Sequence, residues 1–433
     1  MWRINLLSAY LTVIAGTVML IRLRFFFFVH PIKCIRRLME NLRIRSYRRS
    51  LALALAGTLG VGNIYGVALG IILGGEGSVL WLFVSSVFAM AVKYSESVLA
   101  THSRSLGGGM MIPIEQSFGR AGKYVAKLYA LFMLLLSLFM GSFIQADSLV
   151  ASAVELLPVG KLCAALIFLM LFLITVLGGG KRIKSATEAA IPFATVFYCI
   201  LSLIVIMKNY AGISAVFARI LTDAMRPAAV VGGALPIISS RAFSQGFARG
   251  VLSNEAGAGT SAMAHSEENR DGVDAGLFGI VEIFFDTDLL CMLTALVILL
   301  ENGNIPSSAS PMELVFSSFR NGIGSWSLIP LLICIALFAY STVICWYYYG
   351  ARCLSYLGFF GQRFIYAASF STFLILPVFL GGKMAVDISD ILLFLMSVPT
   401  VACIFEKEKN IALLTRAAGL ISSENGRRKS DRQ

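Results

Sequence analysis

Apolar runs of about 20 residues recur along this sequence, and each is long enough for an α-helix to cross the hydrocarbon core of a bilayer. The 433 residues are 58% hydrophobic and only 14% charged. A soluble globular protein carries about 25% charged residues, so this chain has too few to cover its surface in water. The sequence contains no series of short alternating segments of the kind that forms a membrane barrel. It therefore predicts an all-α integral membrane protein.

The edges of the apolar runs predict about eleven transmembrane helices in a single transporter-sized domain over residues 1–421. The polar residues 422–433 are expected to form a disordered tail on the cytoplasmic side. The seventh run is broken and is the least apolar of the set. The expected helices cover residues 5–21, 51–73, 79–101, 124–154, 161–178, 187–207, 240–264, 275–300, 327–349, 364–381 and 387–405.

Lys and Arg are concentrated in alternate loops, which predicts the orientation of the chain. The loop at 22–50 holds nine basic residues against the single acid Glu40. Because such loops stay in the cytoplasm, the N-terminus is expected outside and the C-terminus inside. A cationic cytoplasmic face also explains the net charge of +12 better than nucleic-acid binding does. We expect a multi-pass protein of the cell (inner) membrane, surrounded by the lipid bilayer and without a nucleic-acid partner.

A glycine-rich stretch, Gly57–Asn63, interrupts the second span. Glycine lets the backbone leave helical geometry, and a broken helix survives in hydrocarbon only where it lines a cavity or binds something. A half-helix starting near Asn63 would direct backbone N–H groups and a positive dipole end at an anion such as a carboxylate. Carbonyls freed at 56–59 could coordinate a cation. The alternative is close helix packing, which small residues commonly serve in membranes.

A second stretch of this kind, Ser253–Thr260, lies in the seventh span and contains Asn254 and Glu255. A glutamate that faces lipid costs a few kcal/mol, so Glu255 is expected to face protein, water or a partner. Arg249 is one candidate partner, and a reach toward an ion is another. The functional interpretation is that Asn254 and nearby backbone groups line a site. The alternative is a loop at the membrane surface.

The two breaks open the second and the seventh span, which are corresponding positions of two halves. Transporters built from inverted repeats place such breaks at the repeat interface, where substrate and ions bind. We therefore expect an extra helix at 5–21, a first five-helix repeat at 51–207 and a second repeat of opposite orientation at 240–405.

Polar side chains within the spans are further candidates. Thr342 and Trp346 are four residues apart and share one face of the ninth span. A hydroxyl can bind a hard cation and an indole can line a small pocket. Alternatively, Ser341 and Thr342 bond to their own helix and Trp346 anchors the interface. Other polar residues inside the spans are site candidates or structural partners, and these are Gln145, Asp147, Glu282, Asp286 and Asp288.

The remaining reactive residues form no recognisable catalytic set. His30, His102 and His265 lack metal-ligand spacing, and none of the eight cysteines forms a CxxC pair. The sequence contains neither a nucleophile elbow nor a phosphate-binding glycine loop. Lys93 and Glu96 are interpreted as an ion pair at the cytoplasmic end of the third span. We do not expect an enzyme; a channel or a membrane sensor is the alternative to a transporter.

At these same residues the chain resembles the alanine or glycine:cation symporter family, also called sodium:alanine symporters. The resemblance covers nearly the whole chain and is strongest at Ala56–Ala68 and Arg249–Thr260. It implies a LeuT-like 5+5 inverted-repeat fold within the amino acid–polyamine–cation superfamily, with one extra N-terminal helix. It also implies Na+-driven uptake of alanine or glycine by alternating access, with H+ as coupling ion in some members. The oligomeric state stays open.

The resemblance also implies site residues. The substrate would be bound by the first break together with side chains from three other spans, namely by Thr58, Gly60, Gly62, Asn63, Gln145, Asn254, Thr342 and Trp346. By analogy with the wider fold, Na+ would be bound by carbonyl and hydroxyl oxygens of Gly57, Leu59, Phe338, Ser341 and Thr342.

Some residues depart from the family pattern. Asp147 stands where the family usually has Asn, and Asp288 is an additional acid. A carboxylate on a transport path is a natural candidate for proton coupling. An H+-coupled or altered-specificity amino-acid carrier on the same fold is therefore the alternative function.

Overall fold

The structure is a computed structural model that describes residues 2–101, 108–226, 240–266, 271–303, 305–306, 308–359 and 361–421. Helices make up almost all of the described chain, and no described residue belongs to a β-strand. His102 and the predicted tail at 422–433 lie outside the described residues.

Twelve α-helices are described before the gap at 227–239, and a π-helical segment, Ser137–Ile144, joins the eighth to the ninth. They are α1 (Trp2–Arg22), α2 (Phe26–Val29), α3 (Pro31–Asn41), α4 (Arg45–Thr58), α5 (Gly62–Gly74), α6 (Ser78–Thr101), α7 (Met111–Ser117), α8 (Gly122–Leu136), α9 (Gln145–Leu156), α10 (Lys161–Val176), α11 (Gly179–Lys208) and α12 (Ile213–Ala224).

Nine α-helices are described after that gap, and a second π-helical segment, Phe284–Cys291, joins α15 to α16. They are α13 (Arg241–Asn254), α14 (Thr260–His265), α15 (Gly272–Ile283), α16 (Met292–Glu301), α17 (Pro311–Ile323), α18 (Leu328–Tyr356), α19 (Arg363–Ile375), α20 (Lys383–Glu406) and α21 (Glu408–Ala417).

Seven helical stretches within the described ranges are long and apolar enough to cross a bilayer, and they confirm the prediction of a multi-pass membrane protein. Three shorter apolar helices match the first, fifth and tenth predicted spans. The seventh predicted span corresponds to α13 and α14, which are too short and polar to meet the same criterion, so the number eleven and the inverted repeat stay predictions. The seven are Arg45–Gly74, Ser78–Thr101, Gly119–Leu156, Gly179–Lys208, Gly272–Glu301, Ser325–Tyr356 and Lys383–Glu406.

Both glycine-rich stretches are breaks between helices. Helix α4 ends at Thr58, Leu59 leaves helical geometry with a ψ of 70°, and α5 begins at Gly62. The second break separates α13 from α14 and holds Glu255, Gly257 and Gly259 in the left-handed region, at φ of 55°, 89° and 77°. Glycine adopts this region readily, whereas a side chain there is strained. The local conformation therefore explains why glycines recur in the second stretch.

The two broken helices pack against each other in a crossed arrangement. Helix α13 packs on α5, and α14 packs on α4, so each half of one broken helix meets the opposite half of the other. Helix α6 packs along both α13 and α15. This arrangement brings the first break, the second break and the polar middle of α6 to one place inside the bundle.

The close approach of α13 to α6 generates a test of this packing. A Cβ added to Gly246 would lie 2.4 Å from the carbonyl oxygen of Ser78, a backbone atom that cannot easily move. We expect Gly246→Ala to lower the unfolding free energy by about 1–3 kcal/mol through overpacking. Thermal unfolding of the purified protein measures the change. Gly180→Ala, whose Cβ meets only Tyr348 at 3.6 Å, is the matched control; equal unfolding temperatures for both variants would contradict this packing.

Candidate functional site

The first break is lined by side chains from two other helices. Gln145 Oε1, at the start of α9, accepts the backbone N–H of Val61 at 3.1 Å. Trp346 Nε1 donates to the carbonyl of Gly57 at 3.3 Å, and Thr342 Oγ1 lies 3.5 Å from the carbonyl oxygen of Leu59. The four-residue spacing in α18 therefore directs both side chains at the break. The structure brings these residues together as the sequence predicts.

Gly60 sits at the centre of this group. A Cβ at this position would lie 2.8 Å from Thr342 Oγ1 and 3.1 Å from Gln145 Oε1. Only a glycine lets these polar groups approach the broken backbone so closely. At Gly62 and at Gly66, four residues further along, an added Cβ would have no neighbour within 4 Å. The side of α5 that carries Gly62 and Gly66 therefore has open space beside it.

Asn63 connects the first break to the π-helical segment after α15. Its amide nitrogen donates to the Asp286 carboxylate at 2.5 Å and to the carbonyl of Asp286 at 3.2 Å. The same carboxylate accepts from Ser253 Oγ at 2.8 Å, which ties it to the end of α13. Asn63 Oδ1 is buried without a hydrogen-bond partner. Asp286 is thus the buried acid that joins both broken helices.

Asn254 is fully buried at the end of α13. Its side-chain oxygen accepts the N–H of Ala256 at 3.1 Å, and its amide nitrogen lies 3.4 Å from Thr287 Oγ1. This side chain caps the broken backbone, and its hydrogen bonds within the described residues go to Ala256 and Thr287 rather than to the residues around Gly60. The structure therefore places Asn254 at the second break.

Lys93 and Glu96, two side chains of α6, form hydrogen bonds to the backbone of the second break. Glu96 Oε2 accepts the backbone N–H groups of Gly257 at 3.1 Å and Gly259 at 3.2 Å. Lys93 Nζ donates to the carbonyl of Asn254 at 2.8 Å and contacts Thr260 at 3.0 Å. Both charged side chains are 0% exposed. Lys93 Nζ and Glu96 Oε1 lie 3.9 Å apart, so the two residues form the predicted ion pair, and the cytoplasmic position of this end of α6 stays a prediction. In addition, both side chains replace hydrogen bonds that the break removes from the backbone.

Glu282 extends this polar group on the side of α14. It accepts hydrogen bonds from Ser261 and contacts His265 Nε2 at 2.7 Å, and it lies 4.0 Å from Lys93 Nζ. Ser50 of α4 lies 3.2 Å from the other ring nitrogen of His265. In the sequence, this cluster is indicated by ionisable residues within apolar helices. Such residues cost free energy inside a membrane unless they have a partner.

Arg249 does not supply the partner considered for Glu255. Its guanidinium contacts the Asp390 carboxylate of α20 at 2.9 Å, and both side chains are largely buried. The contact ties α13 to α20 beside the second break.

Four of the five residues expected to bind Na+ fall into two pairs, and the fifth, Gly57, is paired with Trp346. Leu59 meets Thr342, as described above, and Ser341 Oγ donates to the carbonyls of Leu337 at 2.7 Å and Phe338 at 3.0 Å. Ser341 thus bonds to its own helix, which is the structural alternative for this residue. The carbonyl of Gly57 is paired with the Trp346 indole. A cation bound by these oxygens would replace hydrogen bonds that the structure contains.

The fold is an all-helical membrane fold that is shared with a solved transporter. The chain is similar to the crystal structure of a manganese transporter from Eremococcus coleocola, solved with an aromatic bis-isothiourea compound. The TM-score is 0.50 at 14% identity, over 82% of this chain and 76% of that one, which is a likeness of fold alone.

The chain belongs to the sodium:alanine symporter family, whose model matches residues 1–416. It is 32% identical to an uncharacterized transporter of Haemophilus influenzae, over 84% of this chain and 81% of that protein. It is also 32% identical to the sodium/alanine symporter AgcS of Methanococcus maripaludis, over 72% of this chain and 70% of the relative. These relationships confirm the family resemblance and a transporter rather than an enzyme.

The buried cation generates a prediction about the second break. We expect Lys93→Met to lower the unfolding free energy by about 3–5 kcal/mol, because it leaves buried carboxylates without their cation. The double variant Lys93→Met/Glu96→Gln should recover part of this loss, since a neutral glutamine can still accept a backbone N–H. Thermal unfolding measures both effects.

Lys123→Met, which removes an exposed lysine from α8, is the control for this experiment. If Lys93→Met unfolds at the same temperature as Lys123→Met, this contradicts the prediction that Lys93 stabilises the second break. A double variant whose loss equals the summed losses of Lys93→Met and of Glu96→Gln, measured as a separate single variant, would contradict it too.

Proposed function

We propose that this protein is a secondary active transporter that couples Na+ entry to the uptake of alanine or glycine by alternating access. The observation that carries the proposal is the glycine-centred first break, which is met by the side chains of Gln145, Thr342 and Trp346. Membership of the sodium:alanine symporter family and the relative named as a sodium/alanine symporter support this substrate class and sodium coupling.

A small zwitterion fits the chemistry of this break. Its carboxylate would meet the backbone N–H groups at the start of α5, where the helix dipole is positive. Its ammonium group would meet carbonyl or side-chain oxygens, such as those of Thr58 and Gln145. The indole of Trp346, which is buried against the break, would limit the length of the substrate side chain. Alanine and glycine are the amino acids that leave such a pocket least crowded.

Sodium would bind beside the substrate. Unwound backbone carbonyls and helix C-terminal ends are the groups that bind Na+ in transporters with broken helices. The carbonyls of Gly57, Leu59 and Phe338 and the hydroxyls of Ser341 and Thr342 are the proposed ligands. The charge of the ion would then favour the substrate carboxylate, which links the binding of the two solutes.

Proton coupling is the second candidate, and the position of Asp286 favours it. This buried acid contacts Asn63 in the first break and Ser253 in the second. A proton that entered or left the carboxylate would change both contacts at once. An H+ gradient is therefore a separate condition of the transport experiment.

Alternating access requires contacts that open, and α12 supplies one set. Arg219 of this helix contacts Glu76 at 2.9 Å, and the Asp223 carboxylate accepts the N–H of Gly77 at 2.8 Å. Glu76 and Gly77, which these two residues contact, lie in the turn between α5 and α6. The orientation predicted from the basic loops puts this turn on the outer side of the membrane. We infer that α12 moves away when the outer side opens.

Transport into proteoliposomes tests the proposal. Labelled alanine and glycine are offered with an inward Na+ gradient, an inward H+ gradient or no gradient. We expect accumulation with the Na+ gradient, and none in Gly60→Ala, whose methyl group would displace Thr342 and Gln145. Gly180→Ala is the matched control for a folded protein. Accumulation without any gradient contradicts symport, and accumulation with H+ alone replaces Na+ by the second candidate.

Trp346 is the residue that tests substrate size. We expect Trp346→Ala to weaken alanine uptake and to admit larger neutral amino acids such as leucine, because the pocket loses its indole wall. Trp346→Phe keeps an aromatic wall but loses the N–H bond to Gly57, so it should retain small-substrate selectivity with weaker uptake. Competition of labelled alanine uptake by a series of amino acids measures this. Unchanged uptake and selectivity in Trp346→Ala would remove this role.

A further inference from the structure

The ends of α1 and α20 lie at the same boundary of the bundle. The two helices pack together along their lengths, and α1 ends at Arg22 while α20 ends at Glu406. Arg22 contacts Glu408, the first residue of α21, at 3.1 Å. Because both helices stop here, this boundary is where the hydrocarbon region gives way to headgroups. The distribution of basic residues predicts that it is the cytoplasmic side.

Helix α3 is a second, independent indication of where the membrane interface lies. The basic segment at 22–50, predicted as a loop, contains this strongly amphipathic helix. Its exposed face carries Ile32, Ile35 and Met39, whereas its opposite face is held to the protein by ion pairs from Arg37 to Asp271 and Asp274. A helix with one exposed apolar face and many basic residues lies in the membrane interface.

A basic cavity of about 640 Å³ opens at this boundary, between the end of α1 and α21. Four cationic side chains line it against one acid, Glu408, which is already paired with Arg22. The buried Nε–H of Arg416 has no hydrogen-bond acceptor. A buried donor on a charged group is costly when unpaired, so this cavity suits an anion with several oxygens. The four cations are Arg22, Arg24, Lys409 and Arg416.

An apolar stripe on α1 leads away from this cavity. Leu7, Ile14 and Ile21 are spaced by seven residues and are 52%, 56% and 63% exposed, so they form one lipid-facing row. Ile21 also lines the cavity, together with Val18 and Leu413. The row rises by about 21 Å, which exceeds the ~15 Å of one leaflet's hydrocarbon. A ligand with a phosphate head and a long acyl chain would fit both features together.

We propose that this cavity binds one anionic phospholipid of the phosphatidylglycerol type. Its phosphate would accept from Arg416 and Lys409, and an acyl chain would lie along Leu7, Ile14 and Ile21. A soluble phosphate would bind the cationic side chains but would make no contact with the apolar row on α1. Binding the lipid would tie α1 to α21 and thereby fix the extra helix against the bundle.

Native mass spectrometry of the full chain after delipidation tests this site. Phosphatidylglycerol, phosphatidylcholine and inorganic phosphate are titrated separately. We expect one tightly bound phosphatidylglycerol, with weaker binding of phosphatidylcholine. Lys409→Gln and Arg416→Gln should each weaken phosphatidylglycerol binding about fivefold, the usual contribution of one basic residue at an anionic lipid surface. Lys409 is exposed, so its variant should fold normally even where Arg416→Gln does not.

Lys123→Gln is the matched control, because it removes an exposed lysine of α8 that does not line the cavity. It should bind phosphatidylglycerol as the unchanged protein does. Equal affinities in Lys409→Gln and Lys123→Gln would overturn the proposal. Displacement of phosphatidylglycerol by inorganic phosphate would also overturn it, in favour of a soluble anion.

Discussion

The pairing of backbone groups inside the membrane is the constraint on which this structure depends. A broken helix removes backbone hydrogen bonds where no water can replace them, so the protein itself must supply partners. At the second break Glu96 accepts the N–H groups of Gly257 and Gly259, and Lys93 donates to the carbonyl of Asn254. At the first break, Gln145 and Trp346 do the same for Val61 and Gly57. The breaks persist because these side chains replace the lost bonds.

The same bonds are of a kind that suits ligand exchange during transport. Hydrogen bonds between side chains and broken backbone can exchange for bonds to a ligand without exposing any group to lipid. The oxygens around Leu59 and Thr342 and the amide of Gln145 are of this kind. By contrast, Lys93, Glu96 and Glu282 form a fully buried network of charges that would be costly to separate. We therefore expect the hydrogen bonds at the first break to rearrange when a ligand binds. The buried charges at the second break are expected to stay together.

Much of this arrangement follows from sequence pattern. The helix breaks follow from glycines inside apolar runs, and the spacing of Thr342 and Trp346 places both on one face. Seven spans also follow from hydropathy. The partner of Asn63 could not be predicted, because Asp286 lies 223 residues away and only tertiary packing brings the two together.

The role of Lys93 was missed for a related reason. Its position near Glu96 predicted a local ion pair, which the structure contains, but its hydrogen bonds go to Asn254 and Thr260 on the two sides of the second break. Hydropathy was also weak at α13 and α14, because several of their polar residues have partners in neighbouring segments, such as Lys93 in α6, Glu282 in α15 and Asp286 in the second π-helical segment. Local pattern predicts where a helix breaks, but the groups that stabilise the break come from distant parts of the chain.

The most direct test of the central claim is equilibrium binding of labelled alanine to the purified protein, with Na+ or with choline as the cation. If Na+ and alanine share the first break, Na+ should tighten alanine binding at least fivefold, and alanine should tighten Na+ binding by the same factor. Gly60→Ala should abolish the effect. Alanine affinity that is equal in Na+ and in choline would contradict the account.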